Sequence, residues 1–318
     1  MNRHSRLSTL LAIAAALVAL LALVATPASA TKPPRVMAAL GDSITRAFNS
    51  DGPGCPTGPS LDCPKNSWST GTNPAVNSQF QRFEAMHPGR AVVAYNDAVS
   101  GARAAGLLAQ AQTAATQDPD YVTIQIGAND ACASTPTPLT TFSSQVRAAF
   151  QVLVAANPKV YIQLSSIPDI NQLHTLFTSP PDPNALTRWA ALSVCQGLLA
   201  NPLSTAQVDV ERRAAFRQRV IAYNEALAAV CAEFKRCRWD DNTVFNSSFT
   251  AADVATVTNT AGLNIFPFNV IPVFGPGNAN STADYFHPSL QGQARLAETS
   301  WNATFRDFVV RRQGVLSH

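Results

Sequence analysis

The sequence predicts an α/β fold built on a parallel sheet with helices on both faces. Three observations point to it. Apolar, β-branched-rich runs at 35–40, 91–99, 121–127 and 159–167 are near-continuous rather than alternating, as expected of strands covered on both sides. Helix-length segments separate them, so strand and helix alternate along the chain. The chain of 318 residues is long enough to bury one large core.

The elements follow in order. "MNRHSR" is a basic stretch, "LSTLLAIAAALVALLALV" an apolar core, and "ATPASA" ends in the small-x-small pattern of a signal-peptidase site. A cut after Ala30 gives a signal peptide over 1–30 and a single domain over 31–318. A retained membrane anchor is the alternative, because the apolar run approaches spanning length. Setting aside Arg3 and Arg6 takes the 23 basic residues to 21, against 20 acidic ones. That balance offers nothing to nucleic acid or to an anionic membrane surface.

The first strand runs into "GDSIT", which reads as the start of a helix. Residues 49–74 are rich in Gly, Pro, Ser and Asn and carry two cysteines, so they read as a stapled loop. Helices are expected over 75–86, 106–115 and 139–156. Residues 168–204 lack clear periodicity beyond a short helix around 186–199. A long amphipathic helix over 206–234 carries Phe216, Val220, Tyr223, Leu227, Val230 and Phe234 at steps of three and four. A fifth strand is expected over 238–245, then an irregular stretch over 246–283. In that stretch the apolar residues 263–274 suit either an acyl pocket or core packing. Ser289 is placed as N-cap of the last helix, whose stripe is Leu290, Ala294, Ala297, Trp301, Phe305 and Phe308.

Six cysteines lie beyond the leader: Cys55, Cys63, Cys132, Cys195, Cys231 and Cys237. An even count in an exported chain favours disulfides, with about fifteen pairings open in principle. Locality favours 55–63 and 231–237, which leaves 132–195. A zinc site is the competing reading, but no C-x-x-C pair occurs and the histidines lie elsewhere.

Histidine narrows the chemistry. Of the five, His4 is in the leader, His318 is terminal, His87 sits in the turn "MHPGR" and His174 in the irregular "NQLHTLF". His287 remains, in "TADYFHPSL", with Asp284 three residues before it. One tight turn can bring that carboxylate to the imidazole Nδ1 and leave Nε2 free to accept a proton; taken alone, the pair reads more readily as polar residues at the entry of a helix. Sites in open α/β sheets lie beyond the carboxyl ends of the strands. There the chain places Ser43 after the first strand, Gly101 after the second and Asn129 after the third. Separately, Asp42-Ser43 reads as a cap, Gly101 as a turn residue and Asn129 as an Asx-turn. Those readings leave unexplained why all three fall at strand ends on one side of the sheet.

"GDSIT", Gly101 in "SGA", Asn129 in "GAND" and "DYFHPS" occur in the order of the four blocks of the SGNH, or GDSL-type, hydrolases. The chain resembles that family over residues 41–287, and most resembles its secreted actinobacterial esterases and lipases with three sequential disulfides. The resemblance implies a flavodoxin-like three-layer α/β/α sandwich with a central parallel sheet of about five strands. It implies Ser43 as nucleophile, His287 as base and Asp284 as its orienting acid. Ser43 N–H, Gly101 N–H and Asn129 would form the oxyanion hole. No cofactor or metal is implied. The expected partner is a small-molecule or lipid ester, with no nucleic acid, no stable membrane insertion after leader removal, and a secreted monomer as the working form. Two alternatives are a polysaccharide acetylesterase of the same fold and a non-catalytic cell-envelope binding protein. G-x-S-x-G and H-E-x-x-H are both absent, which argues against an α/β-hydrolase elbow and a zincin.

Overall fold

The computed structural model describes residues 34–50, 55, 61–86, 88–256 and 283–305. The leader, His4, His87, His318 and the apolar stretch 263–274 lie outside the described residues.

Five parallel strands form one sheet: β1 (Val36–Gly41), β2 (Val93–Asn96), β3 (Tyr121–Gln125), β4 (Tyr161–Leu164) and β5 (Cys237–Trp239). Their order is β2-β1-β3-β4-β5, all pairs parallel. This is the flavodoxin-like order, whose switch point lies between β1 and β3. The described helices are α1 (Gln79–Met86), α2 (Ala104–Ala115), α3 (Ala128–Cys132), α4 (Leu139–Ala156), α5 (Asn171–Thr178), α6 (Pro183–Ala191), α7 (Gln196–Leu199), α8 (Gln207–Ala232), α9 (Thr243–Asn246) and α10 (Leu290–Ser300).

The two faces of the sheet are sealed differently. On one, α2, α4 and α8 pack side by side, and Val122, Ile124, Ile162 and Leu164 join Leu107, Phe142, Phe150 and Phe216 in an apolar core. On the other, alternate positions carry polar side chains that pair with one another. Tyr121 Oη donates to Gln79 Oε1 and meets Gln163 Oε1, Gln163 Nε2 donates to the Ser300 carbonyl, and Ser69 and Thr123 share a hydrogen bond. Buried polar groups are tolerated where each finds a partner. The aromatic contacts Phe83–Tyr121 and Phe83–Trp301 complete that layer.

Most expected elements are present, with informative shifts. β2 and β4 are shorter at both ends, β3 ends two residues early and β1 is shifted by one residue; β2 is an edge strand with Val93 and Tyr95 exposed, so only the inner strands are covered on both faces. The expected fifth strand survives only as 237–239, because Asp240 turns the chain. Its Oδ2 accepts from Ser166 N, Ser166 Oγ and Val244 N, and α9 follows. Residues 168–204, expected to be mostly irregular, hold α5, α6 and α7. The α8 stripe is as read from Phe216 to Val230, with Phe234 packed edge-on against Phe150 just past the helix end.

Ser289 caps α10, its hydroxyl accepting from Gly292 N. The buried face of that helix is Gly292, Gln293, Leu296, Ala297 and Ser300, rotated from the expected stripe. The cause is Gln293, whose amide accepts from Trp68 N and donates to the Ile44 carbonyl. The side chains of Phe305 and Phe308 lie outside the described residues.

All six cysteines are paired: Cys55–Cys63, Cys132–Cys195 and Cys231–Cys237. This excludes the zinc reading for them.

Candidate active site

β1 ends at Gly41, whose φ of +145° and proximity to β3 both require glycine. An added Cβ would stand 2.3 Å from the Gln125 carbonyl oxygen. Gln110 on α2 fixes this strand end, accepting from Gly41 N and donating to Gly41 O. The next residues form no regular helix, contrary to expectation, but a series of tight turns. Asp42 Oδ1 accepts from Ile44 N, Asp42 O accepts from Arg46 N, and Ser43 O accepts from Phe48 N. Positive φ at Ala47 and Asn49 closes the segment. A helix macrodipole therefore plays no part at Ser43. What the turn offers is a local backbone N–H, and that of Ser43 has no acceptor among the described residues.

His287 lies 244 residues further on, yet its Nε2 is 2.8 Å from Ser43 Oγ. Its Nδ1 is 2.6 Å from Asp284 Oδ2. The Asp284 loop is held by backbone pairing, Ala255 N to His287 O and Tyr285 N to Ala255 O, and by Trp189 Nε1 donating to Tyr285 O. Asp284 Oδ1 accepts from the backbone N–H of Phe286 and His287, both at 2.9 Å. These bonds form the tight turn expected from the D-x-x-H spacing.

Burial opposes charge on both members of this pair, and their mutual attraction overrides it. Burial pushes His287 down, but the Asp284 carboxylate and its hydrogen bond raise the imidazole above its ordinary 6.5. Burial pushes Asp284 up, but the His287 charge and the hydrogen bonds it receives hold it below the ordinary carboxylate value. The imidazole keeps 16% of its side-chain surface exposed, enough for a substrate to reach it. Asp42 behaves differently. Burial drives its carboxyl up to about 7 despite the Ile44 N–H and the nearby His287.

Gly101 has φ +81°, and its N–H has no acceptor among the described residues. Its turn is tied to the first strand by Val99 N donating to Gly41 O. Asn129 stands in the first turn of α3, and its Nδ2 donates to the Ala102 carbonyl at 3.0 Å. An amide nitrogen carries two hydrogens, so the second stays available. Asn129, Ser43 and His287 all line one pocket. Its apolar wall includes Ile44, Pro168, Ile170, Leu173, Phe249 and Phe286. Arg295 and Asp253, paired at 3.0 Å, also line the pocket. His174 points elsewhere, its Nε2 on the Pro202 carbonyl.

Several contributors escaped the sequence reading. Phe48 packs its ring 4.8 Å from the imidazole, and Asn49 Nδ2 donates to Asp284 Oδ2 at 2.7 Å. Asp62 binds Arg46 Nε at 3.0 Å and accepts from Ser100 Oγ beside Gly101. Their partners are remote in sequence, and no local pattern marks them.

Among curated proteins, rat membrane-associated phospholipase B1 is 27% identical over 46% of this chain, and the chain spans 12% of that protein's length. Among solved structures, the Enterococcus faecalis lipase/acylhydrolase matches at TM-score 0.47 and 15% identity, covering 88% of this chain and 96% of that one. The Streptomyces albidoflavus phospholipase A1 matches at TM-score 0.46 and 14% identity, over 85% and 98%. The sequence also matches the GDSL-like lipase/acylhydrolase family over residues 37–299, a span that holds Ser43, Asn129, Asp284 and His287. The chain therefore belongs to the GDSL-like lipase/acylhydrolase family.

Proposed function

We propose that the protein is an exported serine esterase or lipase that cleaves acyl esters in two steps through Ser43, His287 and Asp284. The observation that carries this reading is the continuous relay from Asp284 Oδ2 through His287 to Ser43 Oγ, at 2.6 Å and 2.8 Å. A base within hydrogen-bond reach of a nucleophile, itself oriented by a third group, is the arrangement that acyl transfer needs.

In the first step His287 Nε2 takes the Ser43 proton as Oγ bonds to the ester carbonyl carbon. The carbonyl oxygen becomes an oxyanion, held by Ser43 N–H, Gly101 N–H and the free hydrogen of Asn129 Nδ2. The C–O bond to the alcohol then breaks, and the imidazolium returns its proton to the departing alkoxide. In the second step water gives a proton to His287 and adds to the acyl-enzyme. The acid leaves, and the proton returns to Ser43 Oγ. Asp284 keeps the imidazole in the tautomer with Nε2 unprotonated and stabilises its charged form.

The apolar wall beside Ser43 supports an acyl chain as the group bound there. Export is supported by the sequence of residues 1–30 and by three disulfides, which persist in oxidising compartments. Among the described residues no helix is long and apolar enough to cross a membrane.

The test is hydrolysis of p-nitrophenyl butyrate and longer acyl esters beside acetylated xylan. The expected result is turnover of the p-nitrophenyl esters that is lost in Ser43→Ala. Preference for acetylated xylan would transfer the reading to a carbohydrate acetylesterase, and near-normal turnover by Ser43→Ala would overturn it.

A further inference from the structure

The Asp284 carboxylate accepts four hydrogen bonds, and three come from its own loop: Phe286 N, His287 N and His287 Nδ1. The fourth comes from a residue remote in sequence, Asn49 Nδ2 at 2.7 Å, to the same oxygen that accepts from the imidazole Nδ1–H. Two oxygens have about four lone-pair directions, so Asn49 completes the set. An ionised carboxylate only accepts, which fixes the amide with its nitrogen toward Asp284.

The segment that carries Asn49 is built to hold it. Asn49 N donates to the Leu61 carbonyl, and Ser50 N to that of Ala47. The residue adopts φ +60°, a conformation that Asn tolerates far better than most side chains. The nucleophile turn thus presents Ser43 to one face of His287 and, six residues later, grips the acid on the other.

Resting on the reading of Ser43, His287 and Asp284 as the triad, we infer that Asn49 is a positioning residue. It acts through Asp284 to fix the geometry and temper the basicity of His287. A donor on Asp284 Oδ2 stabilises the carboxylate charge, so less of that charge is offered to the imidazolium. It also stops the carboxylate rotating away from Nδ1. Without the donor the acid holds the imidazolium more strongly and less precisely in place.

The groups that carry the other charges near the pair are the same in the parent and the Asn49 variants, and Asp42, at about 7, titrates in the same range as His287 and is followed beside it. Asp42 and Asp62 act on His287 from the nucleophile turn and the loop after it. Arg188 acts on Asp284 from α6. Asp62 is paired with Arg46, and Asp253 with Arg295 on α10. A change in the titration of His287 in an Asn49 variant therefore reports the lost donor.

Asn49→Gly keeps the positive φ and deletes only the amide, while Asn49→Asp keeps both φ and shape and sets a second carboxyl against Asp284. The experiment is kcat and KM for p-nitrophenyl butyrate against pH, with an NMR titration of the His287 ring in the resting protein. For Asn49→Gly we expect kcat about tenfold lower, the loss of one hydrogen bond to a charged group. KM should be little changed and the His287 midpoint higher by roughly half a pH unit. For Asn49→Asp the midpoint should lie higher still. A merely structural residue would lower activity in proportion to folded protein and leave the midpoint alone. An unmoved midpoint in both variants, or an unchanged kcat in Asn49→Gly, would overturn the inference. If Ser43→Ala keeps its activity, the triad reading fails instead; the NMR titration separates the two because it needs no turnover.

Discussion

The side-chain amide of Asn129 donates to the carbonyl oxygen of Ala102 at 3.0 Å, joining the first turn of α3 to the turn that carries Gly101. One side chain therefore serves two proposed oxyanion donors: it supplies its own second hydrogen and holds the Gly101 backbone in place.

Asn129→Ala should accordingly cost more than one donor. Losing a single oxyanion donor lowers kcat on the order of 100- to 1000-fold, and this variant should reach the upper end of that range or beyond. Thermal unfolding should stay near that of the parent. A loss below about tenfold would place Asn129 outside the oxyanion hole.

The raised His287 sets the pH profile. The imidazole must be neutral to take the Ser43 proton, so kcat/KM should rise with pH and reach half its plateau above 6.5, the ordinary histidine value. Asp284→Asn removes the group that raises it, so the midpoint should move down while kcat falls roughly 1000- to 10,000-fold. An acid limb in Asp284→Asn that coincides with the parent's would mean that Asp284 does not govern this base.

Asp42 makes a separate prediction about stability. Its carboxyl titrates at about 7 when folded against 3.8 as the ordinary value. The folded state thus holds the proton more tightly, and this contribution is present in full below 3.8 and lost as pH rises through about 7. At about 1.4 kcal/mol per unit, the contribution is at most about 4 kcal/mol. Asp42→Asn cannot ionise, so denaturant unfolding at about pH 5 and about pH 8 should show a smaller fall in stability than the parent. Equal falls in the two proteins would contradict the buried-acid account.

What could be read in advance follows from the range of each interaction. Hydrophobic runs and periodicity are local, so the sheet, α4 and α8 were legible from residues that lie together in the chain. Ser43, Gly101, Asn129 and the Asp284–His287 pair were legible as blocks in a fixed order, and the structure brings Ser43, His287 and Asn129 to one pocket, with Asp284 hydrogen-bonded to His287. The α10 face was misplaced because buried Gln293 breaks the apolar pattern, and its partners Trp68 and Ile44 are more than two hundred residues away. The helix expected at Ser43 fails for a related reason. The Asp42 carbonyl accepts from Arg46 N four residues on, but that of Ile44 accepts from Ala47 N and from Gln293 Nε2, that of Ser43 from Phe48 N, and positive φ at Ala47 and Asn49 stops a helix from continuing. Asn49 was invisible because its role exists only once residues 49 and 284, far apart in sequence, meet.

A fluorophosphonate probe followed by peptide mapping in a mass spectrometer asks whether Ser43 is the nucleophile. A single adduct on Ser43 is expected, absent in Ser43→Ala and strongly slowed in His287→Ala. An adduct on another residue, or labelling undiminished in Ser43→Ala, would contradict it.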